Sequence, residues 1–304
     1  MKEAHLRDFI AVADAGSVRG AARRLKVTQG AVSKNLIALE RSFGVPLLLR
    51  SAHGVEPTRY GRVLLRRARL ADAELRKAQE EISSLAGHHQ SVLSIGMSST
   101  AEALLAAPAI AQFRRKYPDA LVNLRGGTAP TLITLLREGH IELAVTPTVR
   151  RASHPDIRSE PIVRSQNIVV ARYDHPLAHA TDIAQIADCE WVHGSRPDDV
   201  APGIVAAFES AGLPPPRFAA RRDSFSALMF LLLGSDLLSL ASEPAVAPFC
   251  REGLLTRVPL RNVSIGLEQS LITVARRPLT PRAAALATIL RRIARGLGSA
   301  NAYR

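Results

Sequence analysis

From Phe9 to Arg50 the chain reads FIAVADAGSVRGAARRLKVTQGAVSKNLIALERSFGVPLLLR. Leu6, Phe9, Ile10 and Ala13 recur at the spacing of one buried helical face, and Gly16 then supplies a stop, which predicts a first helix. Ser17 is placed to cap a second helix whose inner face is Ala21, Ala22 and Leu25, with alanines small enough for another helix to cross closely. After the break at Lys26, Val27 and Thr28, a third helix begins with Thr28 as its cap and runs to about Phe43, where Gly44 ends it. Its inner stripe is Val32, Leu36 and Leu39. A short helix, a tight turn and a second helix crossing on small residues is the helix-turn-helix arrangement, whose second helix lies in the DNA major groove.

If that stripe faces inward, the opposite face of the third helix presents Gln29, Ser33, Lys34 and Ile37, with Asn35 to one side. Glutamine pairs bidentately with adenine, lysine reaches guanine acceptors or phosphate, serine bonds to either kind of edge, and an aliphatic tip touches a thymine methyl. A solvated helix face would carry similar residues, and the surroundings decide between the two. Beyond Gly44, Pro46 to Arg50 is a short apolar run, Ser51, His53 and Gly54 make a turn, and Val55 to Pro57 return as a second short strand. Together they form a wing, with Arg50 and His53 set over the DNA backbone to position the module without reading sequence. The expected DNA-binding set is therefore Thr28, Gln29, Gly30, Ser33, Lys34, Asn35, Ile37, Arg50 and His53.

Charge supports a polyanion partner. The 304 residues carry +13, and +9 of that falls between Met1 and Leu70, where 14 basic residues face five acidic ones. These basic residues sit among compact helical patterns, which favours nucleic acid over a membrane surface. With 47% hydrophobic and 22% charged residues the chain buries a real core and divides into about two or three domains, so disorder and collagen-like structure are excluded. No apolar run reaches the roughly 18 residues of a membrane span, and a cytoplasmic protein is expected. Cys189 and Cys250 stand apart without a CxxC partner, which excludes a disulfide scaffold and a cysteine-based zinc site. His88 and His89 are the one adjacent histidine pair and read as solvated linker, so no metal is expected.

The quoted stretch, followed by GVEPTRYGRVLL from Gly54 to Leu65, resembles the winged helix-turn-helix of LysR-type transcriptional regulators. The resemblance rests on Phe9, Val12, Ala13, Gly16, Ser17, Ala21, Ala22, Leu25, Gln29, Ala31, Val32, Ser33, Leu39, Glu40, Gly44, Leu47, Arg50, Thr58 and Gly61. Gly30 departs from the family's usual proline or serine and loosens the first turn of the helix by roughly 0.5–1 kcal/mol relative to alanine. Asn35 stands where glutamine or histidine is common.

Thr58 caps a long helix from Arg59 to about Leu85, on the order of 40 Å at about 1.5 Å per residue. Its apolar stripe of Gly61, Leu64, Leu65, Ala68, Ala71, Leu75, Ile82 and Leu85 is too long to be covered within a small winged domain, and an intrachain partner is the competing reading. The resemblance implies the family's dimerising linker helix, which places two recognition helices about one helical turn apart on a near-palindromic promoter site. It also implies a homodimer or homotetramer and contact with RNA polymerase.

The polar stretch Ala86 to Ser91 is read as the linker. Strands at Val92–Ile95, Leu121–Leu124 and Ile141–Val145 then alternate with helices at Ala101–Lys116 and Thr131–Glu138, the pattern of a parallel sheet with crossover helices. A second set follows: strands at Ile168–Ala171, Trp191–His193 and Leu237–Leu240, and helices at Ile204–Ala211 and Ala227–Leu233. The chain returns through Leu255–Pro259, a strand Leu271–Ala275 and a last helix Ala283–Leu297. This is similar to the family's effector-binding domain, two α/β lobes like those of periplasmic binding proteins. The expected organisation is a winged helix-turn-helix at 1–58, a linker helix at 59–90 and a two-lobed α/β domain at 91–304. Lobe I comprises about 91–165 and 265–304, and lobe II about 166–264.

Ligands of open α/β sheets sit beyond the carboxyl ends of the strands, where the next helices present unpaired N–H groups. Three such loops are legible, at Met97–Thr100, Gly126–Thr128 and Thr146–Thr148, with Ser195 and Arg196 after the Trp191 strand as clamps from the second lobe. Hydroxyls, glycine N–H groups and helix N-termini suit a carboxylate, although serine and threonine here would cap helices in any case. The expected effector site is Ser98, Ser99, Thr100, Gly127, Thr128, Thr146, Ser195 and Arg196, and the expected effector is a small organic acid. Gly96–Thr100 lacks the second glycine of a GxSxG elbow, and Walker, GxGxxG and HExxH motifs are absent, so neither an enzyme nor a cofactor is expected. Two other readings stay open: a ligand-independent DNA-binding repressor with a vestigial cleft, and an enzyme tethered to DNA by its winged helix.

Overall fold

The computed structural model describes residues 2–51, 54–85, 92–149, 154–194, 202–222, 224–261, 263 and 265–301. They form two compact units, Met1–Ser91 with Thr134–His140, and Val92–Ile133 with Ile141–Arg304.

In the first unit α1 (Glu3–Ala15), α2 (Val18–Leu25) and α3 (Gln29–Phe43) precede a two-stranded wing, β1 (Leu48–Ser51) and β2 (Gly54–Pro57), and the long α4 (Arg59–Leu85). The expected caps form. Ser17 accepts from the Gly20 N–H at 3.0 Å, and Thr28 from the Ala31 N–H at 3.2 Å. Lys26, in the turn between α2 and α3, is left-handed at φ 56°, a conformation that costs a non-glycine residue roughly 1–2 kcal/mol. Phe9, Val12, Ala21, Ala22, Val32, Leu36 and Leu39 enclose the core, each large apolar side chain contributing about 1.5–3 kcal/mol. The buried face of α1 is Asp8, Phe9, Ala11 and Val12, rotated from the expected Leu6, Phe9, Ile10 and Ala13, whose other three members are only half-buried.

The wing is fastened at both ends. Glu40 Oε1 on α3 accepts from the Leu47 and Leu48 N–H groups at 2.7 and 3.2 Å, and the Val55 N–H donates to the Gly16 carbonyl at 2.8 Å. Thr58 accepts from the Gly61 N–H at 3.0 Å and donates to the Pro46 carbonyl at 2.8 Å. Gly61 lies so close to the wing that a Cβ would stand 2.0 Å from the Leu47 oxygen. Arg69 of α4 is ion-paired with Asp14 of α1.

The second unit is built on one seven-stranded sheet ordered β10-β6-β11-β5-β3-β4, with β9 also on β6. Its strands are β3 (Val92–Met97), β4 (Leu121–Gly126), β5 (Leu143–Pro147), β6 (Ile157–Arg172), β9 (Ser239–Ser242), β10 (Leu255–Arg257) and β11 (Ile265–Val274). β7 (Glu190–Gly194) and β8 (Arg217–Arg222) form a separate parallel pair, tied to the rest through a parallel bridge from Trp191 to Leu238. The sheet is mixed rather than parallel as expected. Only β3, β4 and β5 are mutually parallel, and β11 runs antiparallel to both β5 and β6.

These directions fix where the strand ends lie. β3, β4 and β5 run toward the Ile265–Asn167 end of the β11–β6 ladder, and β6 continues past it to pair with β9 and β10. β9 runs back along β6, and β7 and β8 run with it. The carboxyl ends of β3, β4 and β5 on lobe I therefore face those of β7, β8 and β9 on lobe II.

Lobe I is filled by Ile95, Leu105, Phe113, Val145, Leu271, Leu286 and Leu290. Its helices are α5 (Ser99–Ala101), a π-helical stretch Glu102–Ala106, α6 (Ala107–Lys116), α7 (Ala129–Arg137) and α11 (Pro281–Asn301). Pro108 lacks the N–H that would continue a regular ladder just after the π stretch. Lobe II has two clusters on opposite faces. Trp191 and Phe208 meet edge-on at 6.1 Å beside α8 (Pro202–Ser210), while Leu228, Leu232 and Val246 pack under α9 (Phe225–Leu233) and α10 (Glu243–Arg251).

Candidate functional site

The capped start of α3 projects Gln29, Gly30 and Lys34 into solvent, and Ile37 beyond them is 47% exposed. Thr28 is exposed beside them and Ser33 is half-buried. Arg23 and Arg24, in the last turn of α2, and Lys26 in the turn are also exposed, so a basic rim borders the row. Asn35 departs from the expected reading face. It is half-buried, and its Nδ2 donates to Asp8 Oδ2 of α1 at 2.7 Å, so the amide N–H that would read adenine is occupied inside the module. The backbone of Arg50 pairs with Val55 in the wing, and His53 lies outside the described residues.

On lobe I the expected cleft residues are brought to one edge but differ in availability. Ser98 caps α5, accepting from the Ala101 N–H at 3.3 Å, and its hydroxyl donates to Gln269 Oε1 at 2.8 Å. Ser99 is half-buried and Thr100 is buried. Thr146 is fully buried, with no partner for its hydroxyl among the described residues. The Gly127 N–H, expected to serve an anion, donates instead to the Met97 carbonyl at 3.2 Å, and the Thr128 hydroxyl lies 3.1 Å from that of Thr131. Ser195 and Arg196 lie outside the described residues, as do His88 and His89.

Three further residues at the cleft edges were not legible in the sequence. Gln269 is fully buried beside Ser98, its Nε2 unpartnered among the described residues, and it sits at a register shift of β11 against β6. Glu102 lies over the end of β4, where its Oε1 stands 2.9 Å from the place a Gly126 Cβ would take, and burial pushes its carboxyl up. Arg222 ends β8 opposite Gly194 of β7, its Nε enclosed and unpartnered among the described residues, and burial pulls the guanidinium down. Gln269 is remote in sequence from the loop it meets, and Arg222 stands in the undistinguished run RFAARR.

Residues 4–62 match the family described as bacterial regulatory helix-turn-helix protein, lysR family, and residues 86–295 match the LysR substrate binding domain. The chain belongs to the LysR family. It is a LysR-type DNA-binding transcriptional regulator with an effector-binding domain. Among its relatives is the HTH-type transcriptional regulator GbpR of Azospirillum brasilense, 28% identical over 297 residues that span 96% of this chain and 86% of GbpR. The crystal structure of CbnR, a LysR family transcriptional regulator, shares the fold, with a TM-score of 0.72 and 23% identity over 97% of this chain and 99% of CbnR. Full-length CbnR complexed with its target DNA superimposes with a TM-score of 0.69 and 23% identity over 96% of this chain and 100% of CbnR. Among the described residues of the LysR-type chain no helix is long and apolar enough to cross a membrane, and no cluster of three metal-ligating side chains occurs.

Proposed function

We propose that this protein is a one-component regulator that reads promoter DNA through Gln29, Ser33, Lys34 and Ile37 of α3 and responds to a small organic acid bound between its two lobes. The observation that carries the reading is the exposed row on α3, bordered by the arginines of α2 and held by the core beneath it. Arg50 and the wing set the module on the phosphate backbone. Leu75 and Ile82 remain exposed on one side of α4, at 51% and 66%, a helix face suited to a second copy in a dimer or tetramer that works in the cytoplasm. Ligand closure between the lobes biases one arrangement of the DNA-binding modules by its differential affinity for the two states. The protein acts by binding rather than catalysis.

The test is a footprint on DNA upstream of its own gene at a stated salt concentration, with and without a low-molecular-weight extract of the host cell. Gln29→Ala is expected to relax discrimination by about 1–3 kcal/mol at one base pair. Equal loss on specific and random DNA removes Gln29 from the reading set. A footprint that no extract alters supports the ligand-independent repressor instead.

A further inference from the structure

We propose that Arg222 is the anion-binding residue of the cleft, and that the effector is a small acid whose anionic group sits on lobe II while a hydroxyl or ammonium group faces lobe I. This rests on the reading of the cleft as an effector site and assigns the polarity of its ligand.

The argument starts from the cost of an unpaired charge. A guanidinium stays charged at any physiological pH, and enclosing one without a counter-charge is unfavourable unless something arrives to pair with it. Arg222 is half-buried, and among the described residues its Nε has no hydrogen-bond partner and no carboxylate pairs with it. It stands at the carboxyl end of β8 beside Gly194 of β7, where open α/β sheets take their ligands, on the edge that faces lobe I. The next helix, α9, begins at Phe225 with Ser224 as its cap, so the adjoining element also turns a positive dipole end to this edge. Ser242, at the carboxyl end of β9, adds an enclosed side-chain oxygen without a partner among the described residues.

Lobe I is the wrong place for the anion. The Glu102 carboxylate lies over Gly126, and the Gly127 N–H is spent on Met97, so the loop expected to cradle a carboxylate presents a like charge instead. Glu102 and the side-chain oxygen of Ser98 suit a hydrogen-bond donor on the ligand. A hydroxy acid or an amino acid carries both kinds of group.

Full-length wild type, Arg222→Met and Arg222→Lys are compared by thermal unfolding and by fluorescence of Trp191, the single tryptophan, which lies on the strand paired with β8 and reports lobe II rather than the DNA-binding module. The probes are inorganic phosphate, D-glycerate, L-serine and uncharged glycerol, at constant ionic strength. We expect a saturable Trp191 response to phosphate and glycerate in wild type, none to glycerol, a weaker one in Arg222→Lys and none in Arg222→Met. Without anion, Arg222→Met is expected to unfold about 2–4 °C above wild type, because a half-buried charge with no partner among the described residues has gone. Any of three results overturns the assignment: no wild-type response to any of the acids, the same response in Arg222→Met, or a lower unfolding temperature for Arg222→Met. If a cell extract alters the footprints of wild type and Arg222→Met alike, Arg222 is excluded while the regulator reading stands. If it alters neither, the effector reading itself fails.

Discussion

Asn35 of α3 donates its amide to Asp8 of α1 at 2.7 Å, so a residue at the border of the core stripe is tied to the helix behind it. Asp8 is buried, and removing its partner leaves a carboxylate oxygen unsatisfied at a cost of about 1–3 kcal/mol. Asn35→Ala is therefore expected to lower the unfolding midpoint and to weaken specific and random DNA binding in the same proportion. Denaturant titration alongside binding to both DNAs checks this. A selective loss on the specific site would return Asn35 to base reading.

Gly30 takes a helical conformation in the first turn of α3, and an added Cβ would meet nothing within 4 Å. Gly30→Ala is expected to stabilise the protein by about 0.4–1 kcal/mol, chiefly by restricting the unfolded chain. Chemical unfolding measures the gain, and a destabilised variant would mean that the glycine serves a state of the helix other than this one.

Ser98 joins the first loop of lobe I to Gln269 through a buried hydrogen bond of 2.8 Å. Ser98→Ala leaves Gln269 Oε1 without its donor and removes the cap of α5, a loss of about 1–3 kcal/mol. The effect should be confined to the effector-binding domain. Hydrogen exchange that rises around β3 and β11 while α1 to α3 stay protected is the expected pattern, and an unchanged β11 would contradict it.

Leu75 and Ile82 lie seven residues apart on α4, both more than half exposed. Leu75→Glu with Ile82→Glu is expected to leave the fold intact and to shift sedimentation toward the monomer, with loss of the extended footprint. A double variant that still sediments as wild type would move the subunit contact elsewhere.

The DNA-binding module was nearly legible from the residues because its signals are local. Thr28 and Gly44 bound α3, and Val32, Leu36 and Leu39 repeat at helical spacing over its whole length. The face of α1 was misplaced because Asp8 is inside, held there by Asn35, and a search for apolar periodicity rejects a carboxylate. In the second unit, the first half of β6 was missed because Arg158, Glu160 and Arg164 stand on it, and the partner of Glu160, Arg291 of α11, lies far along the chain. β8 offers few apolar residues, and α10 carries Pro244 and Pro248, which read as breaks. The loops at the strand ends could be read from the order of elements, but the neighbours they meet could not. Ser98 meets Gln269, and Glu102 meets Gly126, only after β11 and β4 are laid beside β3, and no spacing in the chain announces those neighbours.

β6 and β11 continue as one ladder from lobe I toward lobe II, with the register shift at Gln269 and Ser270 part-way along. The two lobes are thus halves of a single twisted ribbon, and they do not swing on slack connectors. A change in their relative angle means winding or unwinding that ribbon, and a bulge is where a strand pair bends and twists most. Gln269, at that irregularity, is also the partner of Ser98, so the hydrogen bond that holds the first loop of lobe I is anchored where the ribbon that joins the two lobes changes its register.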